Sequence, residues 1–358
     1  MFNELTVNEK IGQMMMVGLE GTKIDDRMKK LILNYKIGGV ILYRKNFSTY
    51  ENMLHIIKEL KELNASSNRI PLFIAIDQEG GRVNRMPPEL HVLKNAQRLS
   101  KANNSNVIRE AADITGEMLE KSGYNMNFSP VLDVLTDRTT DAIGNRCFSG
   151  DSEIVSEYGV QTMQTLQKHK IISVVKHYPG QGAAKVDSHY LLPSIKQINE
   201  KNLKPFEDAI NNGADAIMVG HIIIKGIDRF IPASLSKKVN KEIRFKQNFK
   251  GLIMTDDLKM RAIRYFYGKK RAVKKAIIAG NDMVLFRFNR KDEENSIRNI
   301  QRLVRRGKIS EQRINQSVMK ILDLKQKYEI SDTKEIVGCD IQALNSRIDR
   351  VNSFVEQK

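Results

Sequence analysis

The sequence predicts an α/β protein folded as a (β/α)8 TIM-type barrel, a single catalytic domain with extra helices at its C-terminal end. Three observations predict it. Eight short runs rich in Val, Ile and Met recur along the 358 residues. None alternates cleanly, which is how strands covered on both faces read. Amphipathic stretches of helical period separate the runs, the pattern of parallel strands joined by crossover helices. No G-x-G-x-x-G follows the first run, so a barrel is preferred to an open doubly wound sheet.

Each element follows from its residues. Thr6-x-x-Glu9 has the spacing of a capping box and opens a first helix. The strand runs are 14–18, 38–43, 71–77, 126–134, 171–178, 214–221, 251–257 and 281–286. Helical stretches are expected at 50–63, 104–123, 152–168, 197–212, 236–246 and 268–279, with two more at 292–306 and 310–328. Residues 1–330 read as the barrel domain and 331–358 as a polar tail with room for one packed helix. No Gly/Pro/Ser-rich linker, internal repeat or low-complexity tract divides the chain.

Composition narrows the function classes. With 41% hydrophobic and 28% charged residues, the chain is globular rather than disordered or collagen-like. A net charge of +17 raises the question of an anionic polymer partner. The Lys and Arg residues are spread along helical stretches without a dense basic arm or aromatic interleaving, so a solvated face is expected and nucleic acid is not. Cys147 and Cys339 are too far apart in sequence for a disulfide framework or a zinc motif, which fits a reducing compartment. No basic-then-apolar leader and no long apolar run is visible. The expectation is therefore a cytoplasmic protein without a membrane span, its oligomeric state open with a monomer favoured.

The barrel directs attention to the C-terminal ends of its strands, where such folds place their chemistry. Ionisable groups stand there repeatedly: Asp77, Asp133, Lys176-His177, His221 and Asp256-Asp257. Asp256 is positioned as a carboxylate nucleophile that forms a covalent ester, and Asp257 as the cap of the next helix. Asp187 and His189, two apart, would share a face in an extended loop. The carboxylate would then orient the ring and tune it as a general acid/base. The other reading is a loop carboxylate and a surface histidine with no link. Asp77 and Arg85 flank the Glu79-Gly80-Gly81-Arg82 turn. A carboxylate accepting from two hydroxyls beside a guanidinium suits a polyhydroxylated substrate, and the pair reads equally well as a structural ion pair. Lys176 at a strand end also reads as a Schiff-base nucleophile. Gly180, Gly182 and Lys185 lack the G-K-[ST] of a phosphate loop. His177, His189 and His221 lack metal-motif spacing, so no metal is expected.

The motifs IDQEGGRVNRM, GNRCFSGD, VVKHYPGQG with VDSH and LLP, ADAIMVGH, MTDDLKM and AGNDMVL occur in this order between about Ile11 and Phe286. Together they resemble the short, single-domain bacterial β-N-acetylglucosaminidases of glycoside hydrolase family 3. The resemblance implies that Asp256 is the nucleophile and that His189, paired with Asp187, is the acid/base. It implies sugar-binding roles for Asp77, Arg85, Arg146, Lys176 and His177; Arg146 rests on the resemblance alone. It further implies a retaining mechanism without a cofactor, on terminal N-acetylglucosamine of muropeptide or chitin-type fragments, in peptidoglycan recycling. A histidine acid/base repels an incoming anion less than a carboxylate does, so phosphorolysis is a variant of the same reading. The chain departs from the family pattern at Gln181 and Ala183, where a histidine and an acidic residue are usual. Those changes motivate a second class, a catalytically weakened sugar-binding protein. A Lys176 Schiff-base lyase would leave the other motifs unexplained.

Overall fold

The eight apolar runs become eight parallel strands: β1 (Met15–Gly18), β2 (Gly39–Leu42), β3 (Phe73–Ile76), β4 (Met126–Asn127), β5 (Ile172–Tyr178), β6 (Ala216–Val219), β7 (Leu252–Thr255) and β8 (Val284–Phe286). This is a computed structural model, and it describes residues 2–136, 143–181, 192–286 and 290–357. The strands neighbour one another in chain order, with β8 also beside β1. Between β7 and β8 a parallel bridge joins Met254 to Met283, and Asp282 donates its backbone N–H to Ile253 at 2.7 Å. That contact closes the sheet into a barrel and leaves it no free edge. Every residue of the eight strands is buried. This explains the unbroken apolar runs: one face fills the barrel and the other meets the helices.

The helices cover the outside. Thr6 caps the first helix (Val7–Gln13) reciprocally with Glu9, as the spacing predicts. Four later helices, Tyr50–Ala65, Ser105–Lys121, Ser152–Lys168 and Glu311–Lys327, span the expected stretches to within a few residues. The stretch expected at 236–246 splits into an α-helix (Lys237–Lys241) and a π-helical turn (Glu242–Lys246). A further helix, Asp26–Leu33, joins β1 to β2. Only Met28, Leu31 and Ile32 give it an apolar stripe, too brief a periodicity to read against its charged residues.

β4 is the main departure among the strands. The run 126–134 forms a strand only over Met126–Asn127. Pro130 has no N–H to give the ladder, so pairing is interrupted and resumes at a single bridge between Val131 and Lys176. A separate parallel pair, Ser194–Ile195 with Ile223–Ile224, lies outside the barrel sheet.

The polar tail carries a helix, Ile341–Glu356, that packs on Ser105–Lys121 through Leu344, Ile348, Val351 and Val355. Arg347 clamps it by reaching Glu110, Asp113 and Glu117 at 2.7–2.8 Å. At the N-terminal floor of the barrel the buried Lys325 donates to Gln13 Oε1 (2.8 Å) and Gly38 O (3.0 Å) and lies over the Phe73 ring. Cys147 is buried and Cys339 partly so, and both thiols are free. Among the described residues, no helix is long and apolar enough to cross a membrane.

Candidate active site

Three strand ends supply the chemistry. β3 delivers Asp77, β5 carries Lys176 and His177, and β7 delivers Asp256. Their side chains line one cavity of about 800 Å³, together with Glu79, Arg85 and Arg146. Six of the eight residues singled out from the sequence are thus brought together. The other two, Asp187 and His189, lie outside the described residues, as do Gly182, Ala183 and Lys185.

The turn after β3 is built to hold its charges still. Gly80 and Gly81 take φ of +88° and +55°, which glycine adopts without strain. A Cβ on Gly81 would also stand 2.6 Å from the Cβ of Asn95. Gln78 accepts the Arg85 N–H and donates to Asn84, each at 2.8 Å, so the turn is tied across its base.

Glu79 organises the cations. It is nearly solvent-free, accepts two hydrogen bonds from Arg146 (2.7 and 2.8 Å) and pairs with Lys176 at 2.5 Å. Lys176 also donates to Asp77 at 2.8 Å. Burial pushes the Glu79 carboxyl up, but Arg146 and Lys176 overcome this and hold it well below the usual carboxylate range. The result is a continuous chain of paired side chains, Asp77–Lys176–Glu79–Arg146. Held between two carboxylates, the Lys176 nitrogen is engaged as a hydrogen-bond donor, which argues against Schiff-base chemistry there.

Asp256 is set differently. Burial raises its carboxyl, yet the nearby His221 and His177, the Asp257 N–H and Lys176 bring it below its ordinary value. The Asp257 N–H donates to Asp256 Oδ1 at 2.7 Å and fixes one oxygen. An ionised, oriented carboxylate in a partly dry cavity is what a nucleophile requires. His177 is oriented by Asp133, which accepts from its Nδ1 side at 2.7 Å. Asp133 also accepts the Gln181 backbone N–H. His221 is fully buried, hydrogen-bonded to Ser234 Oγ (2.7 Å) and the Asp257 carbonyl (3.0 Å).

Sequence reasoning assigned no site role to Glu79, Asp133 or His221. Glu79 is two residues past Asp77, the spacing that puts side chains on a common side of extended chain, and this is the signal the sequence carries for it. Asp133 and His221 are visible as ionisable strand-end residues, but their partners are distant in sequence: His177 and the Gln181 N–H for Asp133, Ser234 and the Asp257 carbonyl for His221. Among the described residues, no three His, Cys, Asp or Glu side chains converge as metal ligands.

Residues 6–324 match the model of the glycosyl hydrolase family 3 N-terminal domain. A β-hexosaminidase of Nitrosospira multiformis is 31% identical over 278 residues, covering 75% of this chain and 78% of that protein. The β-hexosaminidase LpqI of Mycobacterium tuberculosis is 26% identical over 331 residues, 90% of this chain and 83% of its own. A family 3 β-N-acetylglucosaminidase from Paenibacillus sp. str. FPU-7 superposes with a TM-score of 0.93 at 32% identity, over 98% of this chain and 69% of that one.

Proposed function

Because the chain belongs to glycosyl hydrolase family 3 and is a glycosidase, we propose that it is a retaining exo-β-N-acetylglucosaminidase. Its substrates would be muropeptide or chitin-type fragments ending in β-linked N-acetylglucosamine. In this reading residues 1–330 are the catalytic domain, and 331–358 pack against it as a tail. The observation that carries the proposal is Asp256, kept ionised and oriented in the same cavity as the Asp77–Lys176–Glu79–Arg146 chain. The names of the relatives support the sugar.

The mechanism takes two displacements. An Asp256 oxygen bonds to the anomeric carbon as the bond to the leaving oxygen breaks, and His189 gives that oxygen its proton. Asp187 orients the ring and stabilises its protonated form. Water then loses a proton to neutral His189 and attacks the anomeric carbon, releasing Asp256. Asp77 accepts hydrogen bonds from sugar hydroxyls, and Lys176, Arg85, Arg146 and His177 donate to sugar oxygens or hold the groups that do. Each step moves protons and electron pairs between protein, sugar and water, so no metal or organic cofactor is required. Free thiols at Cys147 and Cys339 are consistent with action in a reducing compartment such as the cytoplasm, within peptidoglycan recycling.

The test is release of p-nitrophenol from its β-N-acetylglucosaminide by the wild-type chain, Asp256→Ala and His189→Ala, with and without phosphate. Turnover by the wild type and its loss in Asp256→Ala is the expected result. Sugar 1-phosphate in the phosphate arm would make the enzyme a phosphorylase. Absence of turnover by folded wild type, on this substrate and on the matching glucoside, would overturn the reading in favour of a sugar-binding protein.

A further inference from the structure

We propose that an open groove beside the catalytic mouth binds the leaving-group side of the substrate, and that this side is an acidic glycan chain carrying carboxylates or phosphates along its length. The inference rests on the hexosaminidase reading and chooses between the neutral and acidic substrates it allows.

The groove is built on the segment that follows the nucleophile. A short helix, Arg261–Tyr267, turns its inner face into the core through Ala262 and Ile263. Its outward residues Arg261 and Arg264 line both the catalytic cavity and a second space of about 1080 Å³, which continues along Gly268–Arg271. A chain leaving the mouth past these two arginines would therefore enter the groove.

The charge of the groove is uncompensated. Among its described lining residues Asp292 is the single acid, and it is already paired with Lys269. Arg261, Arg264, Lys270 and Arg271 make no ion pair with a described residue. The contrast with the catalytic cavity is informative. There Lys176 and Arg146, beside Asp77 and Glu79, are each matched by carboxylates, as suits a site for neutral hydroxyls, and Arg261 and Arg264, shared with the groove, carry the unmatched charge across. Four unmatched cations in one concave strip create a field that gathers anions and weakens with salt. A neutral chain gains nothing from it.

Aromatic side chains complete the surface. Tyr265 is 85% exposed and Phe266 52%, packed edge to face with ring centroids 5.2 Å apart. The Tyr267 hydroxyl donates to the Phe230 carbonyl at 2.8 Å and ties the helix to the neighbouring loop, so these rings are held out by the fold. Held apolar faces beside free cations suit a chain that presents C–H faces and anionic groups in alternation.

The experiment compares kcat/KM on four substrates. They are the p-nitrophenyl glycoside, neutral chitooligosaccharides, oligosaccharides alternating glucuronate with terminal β-N-acetylglucosamine, and poly(glycerol phosphate) oligomers capped by the same sugar. Chains are matched in length, at low and at high salt. The wild type is expected to prefer an acidic chain over the neutral one by about tenfold at low salt, with the preference collapsing at a few hundred millimolar. The exposed double variant Lys270→Ala/Arg271→Ala should lose most of that preference while keeping turnover of the p-nitrophenyl glycoside. The carboxylate and phosphate arms show which anion is the better partner. Equal rates on acidic and neutral chains, or an unaffected double variant, would overturn the proposal. If the wild type hydrolyses none of these, the hexosaminidase reading fails. The groove is then tested alone by fluorescence anisotropy of the labelled acidic chain, which should bind wild type more tightly than the variant. Salt-sensitive binding to phosphatidylglycerol vesicles that the acidic chains do not compete away would overturn it in favour of a membrane surface.

Discussion

Glu79 lies between two cations in surroundings too dry to solvate any of the three, and its charge is what lets Lys176 and Arg146 stay buried beside a sugar-sized cavity. Glu79→Gln keeps the shape and removes the charge. The variant should lose about 3 kcal/mol of stability and bind substrate more weakly, seen as a lowered Tm and a raised KM. Asp256 makes the sharper kinetic test. Asp256→Asn should reduce kcat by about a thousandfold or more with the fold intact, read by steady-state kinetics beside a thermal melt. Its pH dependence has a definite sign. The ionised carboxylate is the active form, so activity falls as pH drops through its pKa, and that pKa sits below the ordinary aspartate value. The acid limb of kcat/KM should therefore lie at unusually low pH. His221→Asn takes away a neighbour that lowers the Asp256 pKa, so the limb should move to higher pH. An unmoved limb would mean that another group sets it.

At the scale of elements, the tail helix offers a separable test. Arg347 joins Ile341–Glu356 to three carboxylates of Ser105–Lys121, but all these groups are partly exposed, so screening limits the value of the clamp. Arg347→Ala should cost about 1 kcal/mol, lowering Tm by about 2 °C at low salt and by less at high salt. The strands were the legible part of this fold, because a strand buried on both faces writes its burial into consecutive residues. Helices longer than three turns were legible for the same reason, at period 3.6. What escaped were places where tertiary context overrides the local pattern. β4 stops at Asn127 because Pro130 breaks the ladder, although the apolar run continues. The stretch after β7 breaks at Gly268 into two helices, Arg261–Tyr267 and Lys269–Ala279, and the sequence announces only the second. The site divides along the same line. Asp77, Lys176, His177 and Asp256 are legible as charges at strand ends. The partners of Glu79 and Asp133 come from Lys176 and His177 on β5 and from Arg146 in the turn Gly144–Arg146, so the pairings appear only once the chain has folded.

The whole molecule has two ends with different electrostatics: beside the mouth runs a strip of exposed cations, and at the floor stands the buried Lys325. Burial lowers Lys325 to about 7. Between that value and the ordinary lysine value the unfolded chain holds a proton the native chain does not, so stability from this site rises with pH across the window. Lys325→Met should flatten that rise, seen as a smaller pH dependence of Tm than in the wild type. An identical slope would place the effect elsewhere. The same lysine has a consequence for synthesis. It joins Gln13 and Gly38 to the helix Glu311–Lys327, about three hundred residues later, and β1 likewise waits for β8 as its neighbour. Everything from Gln13 to Lys325 must therefore have left the ribosome before the floor can seal. Until then the nascent barrel carries two open strand edges and an unplugged base, which are the surfaces a chaperone would be needed to cover.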